Sequence, residues 1–244
     1  MKYLKFLALV LAALVLASCG RKEPETTLPS ATQPRPTTQP TEPTVMEYPI
    51  SHYLDVVYSG QLREYYTALL EQWPEEVYNE AQRSPMGAQY RTGDPLENVG
   101  FALEDLDGDG FRELIIGAIR GREEHPLVFE IWSGATAEPQ RWLSSQPGDL
   151  CFLEQNPEGH WTAAREVGTG EEPDAYYYYR LDGEPILVMG LRKNMEEEEV
   201  WHLVQQDPEL PPEPIDAATA REHIESRTQR RTAPKYYPFY LYTP

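Results

Sequence analysis

Apolar residues change their spacing at about residue 100, and this change divides the chain into a helical part and a β-rich part. Before it, apolar positions recur at helical spacing from Gln61 to Trp73, and a shorter stripe of the same kind follows Pro74 and ends near Gln82. This spacing predicts two amphipathic helices. Beyond residue 100, short β-prone runs alternate with turn residues. Strands are predicted at residues 101–106, 113–119, 127–133, 141–145, 150–154, 160–167, 175–181 and 186–191.

Glycine-containing turns between these strands favour an antiparallel meander. Residues 156–159 and the pair Asp182-Gly183 have the composition of hairpin turns, in which glycine supplies a positive φ. Short connections of this kind join neighbouring antiparallel strands.

The C-terminal part adds a helix and a strand. Residues 216–229 predict a helix that begins at the cap residue Asp216, and the aromatic run 236–242 predicts a final strand, whereas residues 195–204 fit a strand or a helix. The predicted fold class is therefore α+β, with N-terminal helices packed on an antiparallel β-meander and with a C-terminal helix and strand. Residues 49–244 are predicted to form a single domain.

The first residues of the chain follow a different pattern, which is typical of export. Lys2 and Lys5 precede an uncharged apolar run over residues 6–16, and small residues then lead to Cys19. A basic start, a short apolar core and a small-residue site are the parts of a secretory signal peptide. The uncharged stretch is shorter than the about 20 residues that a membrane-spanning helix needs. Residues 1–18 are therefore predicted to be a cleaved signal peptide.

The tetrapeptide Leu16-Ala17-Ser18-Cys19 resembles the lipobox of bacterial lipoproteins. The resemblance implies that Cys19 is lipidated, that it becomes the first mature residue, and that the protein is anchored on the extracytoplasmic face of the cell membrane. The alternative is an ordinary signal peptide with a chance cysteine. After Cys19 the composition is dominated by proline, threonine, glutamine and glutamate, so residues 19–48 predict a disordered tether.

Charge and cysteine content narrow the set of partners. The formal net charge of −19 argues against nucleic acid and against electrostatic attraction to anionic lipid, so the lipid at Cys19 is the expected membrane contact. Once Cys19 is lipidated, Cys151 has no cysteine with which to form a disulfide within the chain. Cys151 lies in an apolar run and is predicted to be a buried structural thiol.

The most specific pattern is an acidic loop over residues 105–113. Acids stand at the first, third, fifth and ninth positions, with glycine at the sixth. Calcium binds about 6 to 8 oxygen atoms in a flexible shell, and the loop offers four carboxylates and a backbone carbonyl, so a calcium site is predicted. An EF-hand would require an acid at position 12, where Ile116 stands. The alternative is an acidic turn whose side chains cap their own backbone without an ion.

The loop resembles the strand-loop-strand calcium loops of integrin-α-type and related extracellular repeat proteins. This resemblance implies that Asp105, Asp107, Asp109 and Glu113 are side-chain ligands and that Phe111 is a carbonyl ligand. The longer stretch 101–117 is also similar to a signature of many uncharacterised Gram-positive lipoproteins, which implies no particular activity.

The remaining signals are weaker and leave two functional hypotheses. Two aromatic runs stand out, the tyrosines at 176–179 and the aromatic residues of 236–242. They either cover the faces of a sheet or form a platform for sugar rings or a protein partner. The glutamates at 196–199 predict a solvated surface segment. Motifs of serine hydrolases, zinc peptidases and nucleotide-binding proteins are missing from the sequence.

The first hypothesis is a non-catalytic module that binds an extracellular ligand or protein, and the second is a cell-envelope hydrolase of glycan or peptide. A solute-binding lipoprotein is disfavoured because no alternation of strands and helices predicts α/β lobes.

Overall fold

Short helices precede a series of antiparallel strands, as the change in apolar spacing predicted. A computed structural model describes residues 48–91, 93–119, 126–168, 172–194, 200–207 and 209–244, all within one compact unit, Val45–Pro244. The predicted signal peptide, Cys19, the tether up to residue 47 and the glutamates at 196–199 lie outside the described residues. Within those ranges, every helix is too short or too polar to cross a membrane.

The fold class is α+β, and its elements follow the predicted order. The helices are α1 (Ile50–His52), α2 (Ser59–Leu70), α3 (Glu75–Glu80), α4 (Pro95–Asn98) and α5 (Ala217–Thr228), with a π-helical turn at Tyr53–Val57 and 3-10 turns at Pro85–Tyr90 and Phe239–Leu241. The strands are β1 (Val99–Glu104), β2 (Glu113–Ala118), β3 (Val128–Ser133), β4 (Gln140–Ser144), β5 (Asp149–Gln155), β6 (Trp161–Val167), β7 (Ala175–Arg180), β8 (Ile186–Lys193), β9 (Val200–Gln205), β10 (Glu213–Asp216), β11 (Arg231–Thr232) and β12 (Tyr237–Pro238).

Helix α2 carries the apolar stripe that its sequence predicted. Leu62, Tyr65 and Leu69 are at most 1% exposed, whereas Leu70, which the spacing also placed in the stripe, is 58% exposed at the end of the helix. Residues at spacings of three and four lie on one face of an α-helix, so the three buried side chains meet the same core. The helix ends at Leu70, three residues before the predicted end, and Gln72 adopts a positive φ of 52° in the turn that follows.

The strands form two sheets rather than one meander. The first has five strands in the order β12-β1-β2-β3-β4, and the second has seven in the order β10-β9-β8-β7-β6-β5-β11. All described pairings are antiparallel, and consecutive strands are neighbours from β1 to β4 and from β5 to β10. The chain changes sheet between β4 and β5. The meander prediction therefore holds within each sheet, while the division into two sheets was not predicted.

The five-stranded sheet is buried on both faces. In β1 and β2, Phe101 pairs with Ile116 and Ala102 pairs with Ile115. Phe101 and Ile116 belong to the apolar cluster that includes Leu62 of α2, whereas Ala102 and Ile115 belong to a second cluster with residues of β5 and β6. Successive side chains of a strand point to opposite faces, so one face contacts the helices and the other contacts the second sheet.

Two C-terminal predictions resolve differently. Asp216 caps α5, since its Oδ1 accepts a hydrogen bond of 2.8 Å from the backbone N–H of Thr219, as predicted. The predicted strand over 236–242 is wrong for most of its length, because only Tyr237–Pro238 pairs with β1 and a 3-10 turn follows at Phe239–Leu241. Proline donates no backbone hydrogen bond, and the turn places Phe239 in the core at 0% exposure.

The ambiguous segment over 195–204 forms a strand where it is described. Strand β9, from Val200 to Gln205, pairs with β8 on one side and with β10 on the other.

Cys151 of β5 is a buried free thiol, as predicted, and its burial raises its pKa to about 12. A thiol of this kind is a poor nucleophile, because the reactive form is the thiolate.

Candidate metal site

The acidic loop joins two strands whose register is fixed at its ends. Strands β1 and β2 pair from Val99 opposite Ala118 to Glu104 opposite Glu113. The loop therefore begins and ends at the same end of this strand pair. Gly108 and Gly110 have φ angles of 78° and 90°. Only glycine adopts this region without steric cost, and the two glycines let the loop curl back on itself.

Three carboxylates converge inside the loop. Oxygens of Asp105, Asp107 and Asp109 all lie within 4.8 Å of one another. Backbone N–H groups hold them in place: Asp105 accepts from Gly108 at 2.8 Å and from Gly110 at 3.2 Å, Asp107 accepts from Asp109 at 3.1 Å, and Asp109 accepts from Phe111 at 2.6 Å. A carboxylate oxygen that accepts one hydrogen bond retains a further lone pair. The backbone capping and a cation shell are therefore compatible in this geometry.

Glu113 lies at the base of the loop, at the start of β2, and is 0% exposed. Its Oε2 accepts a hydrogen bond of 2.9 Å from the backbone N–H of Leu106. Its Oε1 is buried and has no hydrogen-bond partner among the described residues. A buried polar atom without a partner is uncommon and calls for an explanation.

Negative charge accumulates at this site. Burial raises the pKa of Glu113 to about 8; the hydrogen bond from Leu106 opposes the rise, and the charges of Asp107, Asp109 and Asp105 add to it. Burial also raises the pKa of Asp107, and Asp109 and Asp105 contribute to that rise. Among the described residues, no lysine or arginine forms a salt bridge with these four acids.

The helical layer holds the second half of the loop. The ring of Phe111 packs against the rings of Tyr48 and Tyr53, with centroid distances of 5.2 and 6.4 Å. Tyr58 is 0% exposed, and its hydroxyl, which has one proton to donate, lies 2.8 Å from the carbonyl oxygen of Arg112 and 3.1 Å from that of Trp132. Contacts of Tyr53 and Tyr58 with the loop were not predicted, because both residues lie far along the chain from the loop and no local pattern marks them.

The other side of the loop borders a cleft against the seven-stranded sheet. The cleft has a volume of about 340 Å³ and is lined by Asp105 and Asp107 from the loop and by His160, Trp161 and Asp182 from the hairpin ends of that sheet. Leu106 of the loop and Leu181 beside Asp182 are both 2% exposed and belong to the cluster between the sheets. A cation in the loop would therefore stand where the two sheets meet.

The structure thus brings three of the five predicted ligands together, Asp105, Asp107 and Asp109. Glu113 is not part of that cluster, although it lies near enough for the charges of the three aspartates to raise its pKa further, and its role as a ligand stays a prediction. The role of the Phe111 carbonyl stays a prediction, as does the lipidation of Cys19. The three clustered carboxylates offer only oxygen donors, which suit a hard cation such as Ca²⁺. Mg²⁺ demands a smaller, near-octahedral shell and keeps several waters, so we expect it to bind more weakly.

The tyrosines at 176–179 do not form one platform. Tyr178 is 2% exposed and lies under Arg227 of α5, whose guanidinium carbon is 4.7 Å from the ring centroid. Tyr176 packs against Trp201 of β9, with a centroid distance of 6.0 Å. These two rings cover one face of the seven-stranded sheet.

Comparisons of the chain with protein-family models, with curated proteins and with solved structures found no match.

Proposed function

We propose that this protein is a lipid-anchored extracytoplasmic protein whose domain binds calcium in the 105–113 loop and serves as a non-catalytic binding module. Calcium has a structural role in this proposal. It neutralises the loop acids and holds the loop between the helices and the second sheet. The observation that carries the proposal is the convergence of Asp105, Asp107 and Asp109. A second observation supports it: the Oε1 atom of Glu113, at the base of the same loop, is buried and has no hydrogen-bond partner among the described residues.

The expected affinity follows from the setting. Extracellular calcium modules bind with dissociation constants of about 10⁻⁴ to 10⁻³ M. At about 10 mM calcium, a dissociation constant of about 10⁻³ M stabilises the folded state by about 1.4 kcal/mol. A dissociation constant of about 10⁻⁴ M stabilises it by about 2.7 kcal/mol. For a domain of this size that corresponds to a rise in melting temperature of about 3 to 10 °C.

Calcium titration of the intact protein in detergent micelles tests this proposal. We expect heat of binding in a calorimeter and the stated rise in melting temperature with calcium, and a smaller rise with magnesium. Asp107→Ala should abolish most of the calcium response, because it removes one of the three clustered carboxylates.

Asp207→Ala is a matched control for that variant. The Oδ1 atom of Asp207 accepts a hydrogen bond of 3.0 Å from the backbone N–H two residues later, as that of Asp107 does at 3.1 Å, but Asp207 is not part of the cluster. Asp207→Ala should keep the full calcium response. A wild-type melting temperature that is unchanged by 10⁻² M calcium, or an equal response in Asp107→Ala and wild type, contradicts the calcium site.

The membrane anchor needs a separate test, because it rests on the lipobox resemblance alone. Cys19→Ala removes the thiol that would carry the lipid, so we expect incorporation of a labelled fatty acid into the protein to be lost in cells grown with that fatty acid. Cys151→Ala removes the other cysteine and should keep the label. Labelling of Cys19→Ala to the same extent as wild type contradicts lipidation at this residue.

A further inference from the structure

A second cleft opens between the two sheets, away from the acidic loop. It has a volume of about 530 Å³ and is lined by β4 of the five-stranded sheet, by β6 and β7 of the seven-stranded sheet and by the turn at Glu184. Small-molecule sites in proteins are clefts of about 300 to 1,000 Å³. The cleft is therefore large enough to hold a ligand the size of a short oligomer of sugars.

A β-bulge directs a tryptophan towards this cleft. In the pairing of β3 with β4, Ile131 lies opposite Leu143 and Trp132 lies opposite Arg141, so Trp142 is an extra residue without an opposite partner. Bulges re-aim side chains and are frequent beside binding sites. Trp142 is half-buried, packs with Leu143 against the cluster between the sheets and lines the cleft.

The opposite wall combines an aromatic ring with hydrogen-bonding groups. Tyr179 of β7 and Arg165 of β6 line it, and both lie on the face of the seven-stranded sheet that meets the first sheet. The Nη2 atom of Arg165 donates to Asp149 at 2.5 Å, its side chain is 32% exposed, and its Nε–H has no hydrogen-bond partner among the described residues. Gln140 and Ser144 of β4 add an amide and a hydroxyl to the lining.

The charges of the lining argue against an anionic ligand. Arg165 is paired with Asp149 at 2.5 Å, and Arg141 lies 3.8 Å from the buried Glu130. Glu184, which also lines the cleft, adds a negative charge without a described salt bridge. Positive charge is thus compensated locally, so a phosphate or an acidic peptide finds no excess of cations here.

We propose that this cleft binds an uncharged saccharide. Aromatic rings such as those of Trp142 and Tyr179 pack against the apolar C–H faces of pyranose rings, while the amide of Gln140, the carboxylate of Glu184 and the guanidinium of Arg165 hydrogen-bond to sugar hydroxyls. A saccharide needs both kinds of contact and no compensating charge. This inference names the ligand class of the binding module proposed above and rests on that proposal.

Calorimetric titration of the intact protein, held in a zwitterionic detergent that contains no sugar, tests the inference. The probes are chitotriose, cellotriose and maltotriose, with a neutral hexapeptide as a ligand of another class. We expect at least one trisaccharide to bind and Trp142→Ala to weaken that binding by about tenfold or more, as is typical of an aromatic residue central to a binding site. Tyr240→Ala, which removes an aromatic ring that is 56% exposed and does not line the cleft, should bind like wild type.

Further variants keep the test decisive if Trp142→Ala does not fold. Glu184→Ala and Gln140→Ala change exposed polar side chains of the lining and should weaken binding several-fold without lowering the melting temperature. Failure of all three trisaccharides to bind at millimolar concentration overturns the inference, and so does binding of the hexapeptide alone or unchanged affinity in all folded cleft variants. A calcium-dependent melting temperature measured on the same sample separates this outcome from failure of the calcium site.

Discussion

Buried acids are accommodated in two different ways in this fold. Away from the acidic loop they lie beside arginines: Glu154 accepts from Arg227 at 3.3 Å, Asp149 accepts from Arg165 at 2.5 Å, and Glu130 of the five-stranded sheet lies 3.8 Å from Arg141. At the acidic loop of the five-stranded sheet, no salt bridge to lysine or arginine is described for any of the four acids.

Burial alone does not distinguish an acid with a structural role from a candidate metal ligand. Glu154 and Glu113 are equally hidden, at 1% and 0% exposure, and each has a buried Oε1 without a hydrogen-bond partner in the described part of the chain. The two glutamates differ at their other carboxylate oxygen, Oε2. In Glu154 it pairs with the guanidinium of Arg227, whereas in Glu113 it accepts a hydrogen bond from the backbone N–H of Leu106. Burial raises the pKa of both glutamates; the charges of Asp107, Asp109 and Asp105 raise that of Glu113 further, whereas Arg227, Arg231 and Arg230 oppose the rise at Glu154. An added cation would therefore neutralise more uncompensated negative charge at the loop than beside the arginine-paired acids.

Removal of an arginine from the second sheet should have the largest effect on stability. Arg227→Ala leaves Glu154 buried without its partner and also removes the guanidinium that packs on Tyr178. We expect the free energy of unfolding in urea to fall by about 3 kcal/mol, the low end for a broken buried pair, because Arg227 is 21% exposed.

Two controls refine that prediction. Arg221→Ala changes an exposed arginine of the same helix and should change stability by less than about 0.5 kcal/mol. The double variant Arg227→Ala with Glu154→Gln should recover part of the loss, because no buried charge then lacks a partner. If Arg227→Ala is as stable as Arg221→Ala, the pair does not stabilise the sheet.

Replacement of the loop acid by its amide should have a smaller effect, and one that calcium reveals. Glu113→Gln keeps the size of the side chain and an acceptor for the Leu106 N–H, but the amide cannot take on the negative charge that a calcium ligand would supply. In calcium-free buffer we expect a change in the free energy of unfolding within about 1 kcal/mol. In about 10 mM calcium the variant should lack most of the wild-type gain of about 1.4 to 2.7 kcal/mol. Thermal denaturation with and without calcium measures both, and a full calcium gain in the variant contradicts Glu113 as a ligand.

The pH dependence of stability should show a gradual effect at the buried glutamate of the seven-stranded sheet. Burial raises the pKa of Glu154 to about 7, although Arg227, Arg231 and Arg230 oppose the rise, whereas an unfolded glutamate titrates near about 4.3. The folded protein therefore holds the proton more tightly, and the contribution of Glu154 to stability declines as pH rises from about 4.3 to about 7, by no more than about 1.4 kcal/mol per pH unit.

Glu154→Gln should remove that decline, since glutamine does not titrate. Urea denaturation of the two proteins between pH 4.5 and 7.5 measures the difference, and Glu158→Gln, in an exposed hairpin turn, serves as the control. Parallel pH profiles for wild type and Glu154→Gln would show that Glu154 keeps an ordinary pKa in the folded protein.

Much of the local structure could be predicted from the sequence, because its causes are local. The eight predicted strands all exist, with boundaries shifted by no more than two residues. Gly159 and Gly183 take the positive φ that their hairpin turns predicted, and Asp216 caps its helix. The strand predicted over 236–242 was the exception, because the preference of aromatic residues for strands was overridden by Pro238 and by the core position of Phe239.

The sequence by itself determined the α+β order of elements and the spacing of the loop acids, since periodicity, turn chemistry and capping act over a few residues. Only the tertiary structure established that the strands divide into two sheets and that a bulge turns Trp142 towards a cleft between them. It also buries Glu113 with one oxygen that has no hydrogen-bond partner among the residues described. These features depend on pairings and packing between residues that are distant in the chain. Local patterns do not encode such contacts, because each requires two surfaces that only the folded chain brings together.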